Sequence, residues 1–128
     1  MGTSCLIQLG KSGVTLYQHY DGYPEGESGV VEQIRKTLKG STIRMMADDP
    51  AYSAARFIQS YLNFVDPESD RGFGVCTSER GVGRDHVQYR YLLTTEKDSW
   101  VLYENPPEKG FPSASSYWRK YDVTPQSK

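Results

Sequence analysis

The chain lacks a long apolar run. Across 128 residues no stretch approaches the roughly 20 consecutive apolar residues that a membrane-spanning helix needs, and mean hydropathy is −0.65. It has only two cysteines, Cys5 and Cys76, without metal-ligand spacing such as C-x-x-C. The expectation is two reduced, partly buried thiols rather than a disulfide. No charge of one sign dominates: 15 basic residues face 16 acidic ones. Nucleic-acid binders carry a basic excess, so the balance argues against such a partner. The local cluster Arg35, Lys36, Lys39 and Arg44 reads as the solvated end of a helix, complementing its dipole.

Several catalytic signatures are also missing. Gly10-Lys11-Ser12 resembles the end of a phosphate-binding loop, but the position that should hold its first glycine is Cys5, and a strand follows rather than a helix. Gly81-Val82-Gly83 is a lone GxG without the rest of a dinucleotide fingerprint. No serine lies in a G-x-S-x-G elbow, and neither cysteine has a histidine beside it. Residues Met1 to Leu6 contain no basic stretch leading into an apolar one, as a secretory signal would. Leu6 stands where a myristoylation motif needs a hydroxyl residue. The expectation is a cytoplasmic protein with no membrane association and no cofactor.

What the chain does have is punctuation. Its length suits a single α+β domain over residues 1–128. Cys5 to Leu9 and Val14 to Tyr20 read as a hairpin around the Gly10–Gly13 turn. Val30, Val31, Ile34 and Leu38 give the apolar stripe of a helix from Ser28 or Gly29 to about Lys39, stopped by Gly40. Asp49-Pro50 is a helix start. The 3/4 spacing of Ala51, Ala54, Ala55, Ile58, Tyr61, Leu62 and Val65, widened by Phe57 and Phe64, carries that helix to Asp66-Pro67. Gly72 to Thr77 is a short strand and Ser78 to Asp85 a loop. A second hairpin follows, His86–Thr95 and Ser99–Glu104 about Lys97-Asp98, with Val87, Tyr89, Tyr91 and Leu93 pointing inward. From about residue 108 the tail reads as loop, docked by Tyr117, Trp118 and Tyr121. The order β-β-α-α-β-β-β predicts a two-layer sandwich, a mostly antiparallel sheet of about five strands with two helices on one face.

The densest chemistry lies in Leu16-Tyr17-Gln18-His19-Tyr20-Asp21-Gly22-Tyr23-Pro24-Glu25-Gly26. Strand periodicity puts Thr15, Tyr17, His19 and Asp21 on one face. Glu25 can return over them through the Gly22-Tyr23-Pro24 turn. A histidine with two carboxylates can hold a divalent cation or move protons, and His86 could join the set. Two readings of the segment follow. In one it is a non-enzymatic binding or regulatory surface, with Tyr17, His19, Tyr20, Asp21, Tyr23 and Glu25 gripping a protein or small-molecule ligand. In the other it is a metal-dependent hydrolase of phosphoester type built on His19, Asp21 and Glu25. Backbone chemistry accounts for part of it in either case, because Asp-Gly and Tyr-Pro are turn-forming pairs. The ten tyrosines suit cross-strand packing or an exposed protein-binding cluster, and a homo-oligomer fits such a surface.

Met1-Gly2-Thr3-Ser4 with Cys5-Leu6-Ile7, followed by the segment Leu16–Gly26, resembles a family of small uncharacterised bacterial and phage proteins. Its members begin Met-Gly-Thr-Arg and carry a His-Trp-Asp-Gly-Tyr-Pro-like segment. Ser4 stands where the family has arginine and Tyr20 where it has tryptophan. The resemblance covers about the first thirty residues, and Gln88-Tyr89-Arg90-Tyr91 is similar more loosely. It implies a cytoplasmic microbial or phage protein and carries over no catalytic residue.

Overall fold

A computed structural model describes residues 3–40, 48–68, 72–76, 87–105 and 119–125. Strands β1 (Cys5–Leu9) and β2 (Thr15–Gln18) form the first hairpin, with Ile7 opposite Leu16. Their turn needs glycine at both ends: Gly10 and Gly13 have φ of 55° and 85°. Ser12 ties it, donating its hydroxyl to the Leu9 carbonyl at 2.7 Å and accepting from the Val14 N–H at 3.1 Å.

Helix α1 (Val30–Gly40) buries Val30, Val31, Ile34 and Leu38, the stripe expected from the sequence. Helix α2 (Pro50–Val65) starts where Asp49-Pro50 places it; the Asp49 carboxylate accepts from the Tyr52 N–H at 3.3 Å. Strands β3 (Phe73–Cys76), β4 (Tyr89–Glu96), β5 (Ser99–Asn105) and β6 (Arg119–Asp122) complete the α+β domain.

The sheet runs β3-β2-β1-β4-β5-β6. Only the central pair β1–β4 is parallel, Cys5 opposite Tyr89 and Leu9 opposite Leu93; every other pair is antiparallel. Both helices cover one face. There Cys5, Ile7, Leu9, Leu16, Tyr91, Leu93 and Leu102 pack against Ile34, Leu38, Ala54, Phe57 and Tyr61. Two smaller apolar groups lie on the opposite face, Leu6, Cys76 and Val87 with Tyr17, and Leu92, Val101 and Tyr103. Cys5 and Cys76 form no disulfide and sit on opposite faces of the sheet, so they cannot join.

Three expectations need correcting. Among the described residues the strands number six, not about five, because the tail returns as edge strand β6 rather than loop. Its Arg-Lys-Tyr-Asp sequence hides it: edge strands carry charge, which masks the apolar alternation. Tyr121 alone turns inward to the core. Strand β4 begins at Tyr89, where parallel pairing with Cys5 begins. Val87 therefore precedes the strand and joins the opposite apolar group instead of alternating with Tyr89 and Tyr91. His86, Arg44, the Ser78–Asp85 loop with Gly81 and Gly83, and Tyr117 and Trp118 lie outside the described residues.

Candidate functional site

At the end of β2 the chain is held by one side chain. Gln18 is 4% exposed. Its amide nitrogen donates to the carbonyls of Tyr20 at 2.6 Å and Asp21 at 3.0 Å, while its oxygen accepts from the Tyr61 hydroxyl of α2 at 2.7 Å. Every arm of this buried amide is thus occupied, and it fixes the start of the turn against the helix. Asp21 then takes the left-handed conformation, φ 58°, one that Asp and Asn tolerate better than other side chains. Gly22 donates its N–H to the Thr3 carbonyl at 2.7 Å, and its own carbonyl accepts from the Tyr91 hydroxyl at 2.7 Å. Tyr23 donates its hydroxyl to the Asp21 carboxylate at 3.2 Å. The carbonyls of Tyr23 and Pro24 receive the Val30 and Val31 N–H groups, so the segment also caps the start of α1.

A cavity of about 210 Å³ opens beside this turn. Its polar side is Gln18, Asp21, Ser28 and Gln33; its apolar side is Tyr61, Phe64, Val65 and Phe73. Asp21 is the one charged group among the described lining residues. Phe64 is 47% exposed, so the end of α2 presents an aromatic ring at the opening rather than in the core. Sequence periodicity put Phe64 and Val65 with the buried stripe, and Val65 does pack against the core while Phe64 does not. The sign that Phe64 does otherwise was a stripe too wide for one packed helix face.

The residues expected to act together divide into two groups. Asp21 and Tyr23 pair with each other on the cavity side. Tyr17 belongs to the apolar group on the opposite face, and its hydroxyl lies 2.7 Å from Nδ1 of His19. The His19 ring in turn meets the exposed Tyr20 edge-on at 4.6 Å. Thr15 and Tyr17 do share a face, as alternation requires. Strand geometry ends at Gln18, and the left-handed Asp21 turns its carboxylate to the helix side. Glu25 is exposed on the loop ahead of α1. Among the described residues no group of three His, Cys, Asp or Glu side chains converges on a metal-binding position.

Comparison with protein-family models, with curated proteins and with solved structures finds no match.

A second polar cluster, absent from the sequence reading, lies at the same end of the sheet. Glu104 is 1% exposed on β5. Its carboxylate accepts from the Tyr121 hydroxyl at 3.0 Å and lies 3.5 Å from the Arg119 guanidinium, both on β6. Its register opposite Tyr91 places it under the ring that holds Gly22. Tyr89 stacks on Tyr91 at 6.2 Å. Burial first, and then the neighbouring Glu104 charge, push the Tyr121 phenol up to about 12. Burial likewise pushes Tyr91 well above the ordinary tyrosine range.

A phenol that ionises less readily in the folded chain than in the unfolded one contributes its full stability below the unfolded value near 10. That contribution is lost as pH rises through the folded value of about 12. Unfolding by urea should therefore become easier from pH 10 to 12, and Tyr121→Phe should flatten that slope. An unchanged slope in the variant would assign the loss elsewhere.

Proposed function

We propose that the chain is a small cytoplasmic binding module, non-enzymatic, whose ligand enters the cavity beside Asp21. The observation that carries this reading is the make-up of the cavity: one carboxylate, neutral amides and a hydroxyl on one side, three aromatic rings and a valine on the other. Such a site suits a cation or strong hydrogen-bond donor on an apolar stem. An apolar cavity of about 150 Å³ holds a benzene ring, so the volume here admits one ring with an amine, or one basic side chain. The polar and apolar groups are fixed before the ligand arrives, since Gln18 and Tyr61 hold each other. Little ordering cost then falls on binding.

Benzylammonium is a suitable probe and benzyl alcohol its uncharged counterpart. In an NMR titration the charged probe should shift the Gln18, Asp21 and Phe73 resonances, and the alcohol should bind more weakly. Asp21→Asn is the decisive variant because asparagine accepts the left-handed backbone and still offers Tyr23 an oxygen. It should weaken the amine by about tenfold, the loss expected for one charge-assisted hydrogen bond. Equal affinity for the variant and the parent would remove the reading.

A further inference from the structure

The two edges of the sheet are unlike each other. Strand β6 carries Arg119, Lys120 and Asp122 in four residues, the kind of charge that keeps an open edge from pairing. Strand β3, Phe73-Gly74-Val75-Cys76, carries none. Its outward geometry follows from one hydrogen bond. His19 donates its N–H to the Gly72 carbonyl at 2.8 Å. The two are opposed in the β2–β3 register, which runs on through Gln18 opposite Phe73, Tyr17 opposite Gly74 and Leu16 opposite Val75. In an antiparallel pair, opposed residues alternate between exchanging both hydrogen bonds and exchanging neither. Gly72, Gly74 and Cys76 therefore bond to β2, and the N–H and C=O groups of Phe73 and Val75 point away from it.

Among the described residues nothing pairs with those outward groups. The side chains around them are open as well. Four large apolar side chains are exposed among the described residues, Tyr20, Tyr52, Phe64 and Val75. Three of them gather here. Val75 is on the strand and 60% exposed. Phe64 lines the same cavity as Phe73, and the Tyr20 ring lies edge-on to His19, the residue opposed to Gly72. Apolar surface gathered in one place marks an interaction site.

We infer that the occupant of this edge is a second copy of the chain, joined strand to strand through β3 about a two-fold axis at Gly74. The edge is complementary to itself. In an antiparallel pair centred on Gly74, Phe73 of each copy opposes Val75 of the other, and the two exchange their outward N–H and C=O groups. Centring the axis on Phe73 or on Val75 would satisfy only one of those residues within the strand. Gly74 then falls at a non-hydrogen-bonded position, where opposed Cα atoms come within about 4.5 Å, and it brings no side chain to that approach. The side chains agree with the backbone. Phe73 and Val75 share the helix-side face, since they oppose Gln18 and Leu16. Each Val75 is thus covered by the other copy's Phe73, an aromatic–β-branched pair that stabilises cross-strand neighbours. No charge on the strand meets its own image. The contact is isologous and closes at two copies. It also sets the second copy's Val75 beside Phe73, a wall of the cavity. The pairing goes beyond the chemistry proposed for that cavity and does not depend on it, because it uses only backbone groups and apolar side chains.

Sedimentation equilibrium of the whole chain over roughly 1 to 500 µM suits an interface at the weak end, below about 1,200 Å². The parent should pass from monomer to dimer in that range and stop there. Val75→Lys should raise the dissociation constant at least about tenfold. It should leave the urea midpoint unchanged, since the side chain is already exposed. Tyr52→Lys, at the exposed aromatic about 18 Å along α2 from Phe64, should leave the dimer as it is. Cross-linking reads the register. Gly74→Cys has room, because a Cβ there would meet only Tyr17, at 3.9 Å. It should form an intermolecular disulfide on oxidation with diamide. Val75→Cys should cross-link more slowly, although its position is the more exposed. The two copies of that position lie about 8 Å apart diagonally across the pair, beyond disulfide reach. The parent, with Cys5 and Cys76 buried, is the control.

A chain that stays monomeric at the highest concentration overturns the dimer and leaves the cavity to its own titration. So does a dimer that survives Val75→Lys or dissolves equally in Tyr52→Lys. Growth beyond two copies, or faster cross-linking at Val75 than at Gly74, overturns the two-fold pairing.

Discussion

Gly22→Ala should destabilise the fold by about 3 kcal/mol and remove binding of a cationic probe beside Asp21. The residue does not owe its place to a left-handed backbone; it is a matter of space. A Cβ at Gly22 would lie 2.8 Å from Cys5 Cβ, 2.8 Å from the Thr3 carbonyl oxygen and 2.9 Å from the Ser4 carbonyl carbon. Two of those three atoms are backbone, so no flexible side chain can swing aside. The turn would have to lift from the start of β1. Lifting it stretches the Gly22 N–H bond to Thr3 and withdraws the carbonyl that Tyr91 donates to. Tyr91 is fully buried, and its hydroxyl would lose its partner in the core. Asp21, one residue earlier, would leave its position in the cavity wall. Urea unfolding reads the first effect and the amine titration the second. A variant with the parent's midpoint and affinity would show that the turn has slack the close contacts deny.

Phe57→Ala should cost about 3–5 kcal/mol, the range for emptying an aromatic site in a core that cannot collapse around it. Phe57 is fully buried midway along α2, within the core cluster, and stacks on Tyr61, centroids 5.2 Å apart. Tyr61 meets Phe73 edge-on at 6.3 Å and bonds Gln18. The deletion thus loosens a chain of contacts leading to the cavity, so ligand affinity should fall along with the unfolding midpoint. Phe64 on the same helix supplies the contrast. Half exposed at the cavity mouth, it should cost no more than about 1 kcal/mol when truncated. Thermal or urea midpoints measured on the two variants separate them; equal losses would mean that α2 does not present these two faces differently.

The elements that were legible in the sequence are those with local punctuation. Asp49-Pro50 and Asp66-Pro67 bracket α2, the apolar stripe of Val30, Val31, Ile34 and Leu38 marks α1, and the two hairpins are set by their turn residues. What was hidden depends on partners distant in sequence. Nothing local in Tyr89-Arg90-Tyr91 says that it lies parallel to Cys5-Leu6-Ile7. Nothing in Arg119-Lys120-Tyr121-Asp122 marks a strand until β5 is beside it. The candidate site was half legible. Its density of aromatic and acidic residues drew notice to Tyr17–Gly26, and Asp21 does line a cavity. Period-2 reasoning carried three residues past Gln18, through the left-handed turn, set Asp21 on the wrong face with His19. The other wall comes from the end of α2 and from Phe73, which meet the turn only after the sheet has formed.

The parallel seam has one further consequence. To either side of it the strands lie in chain order, β1-β2-β3 with both helices inserted between β2 and β3, and β4-β5-β6 in the last part of the chain. The hairpins β1–β2 and β4–β5 are built from neighbours, β3 joins β2 only after both helices, and the seam joins residues as distant as Ser4 and Gln88, 84 positions apart. Closing a loop of that length costs entropy before any seam contact repays it. The docking of two half-sheets along β1 and β4 should therefore set the pace of folding. During synthesis the first half must wait, β1 uncovered along the edge that β4 will take, until the second has emerged.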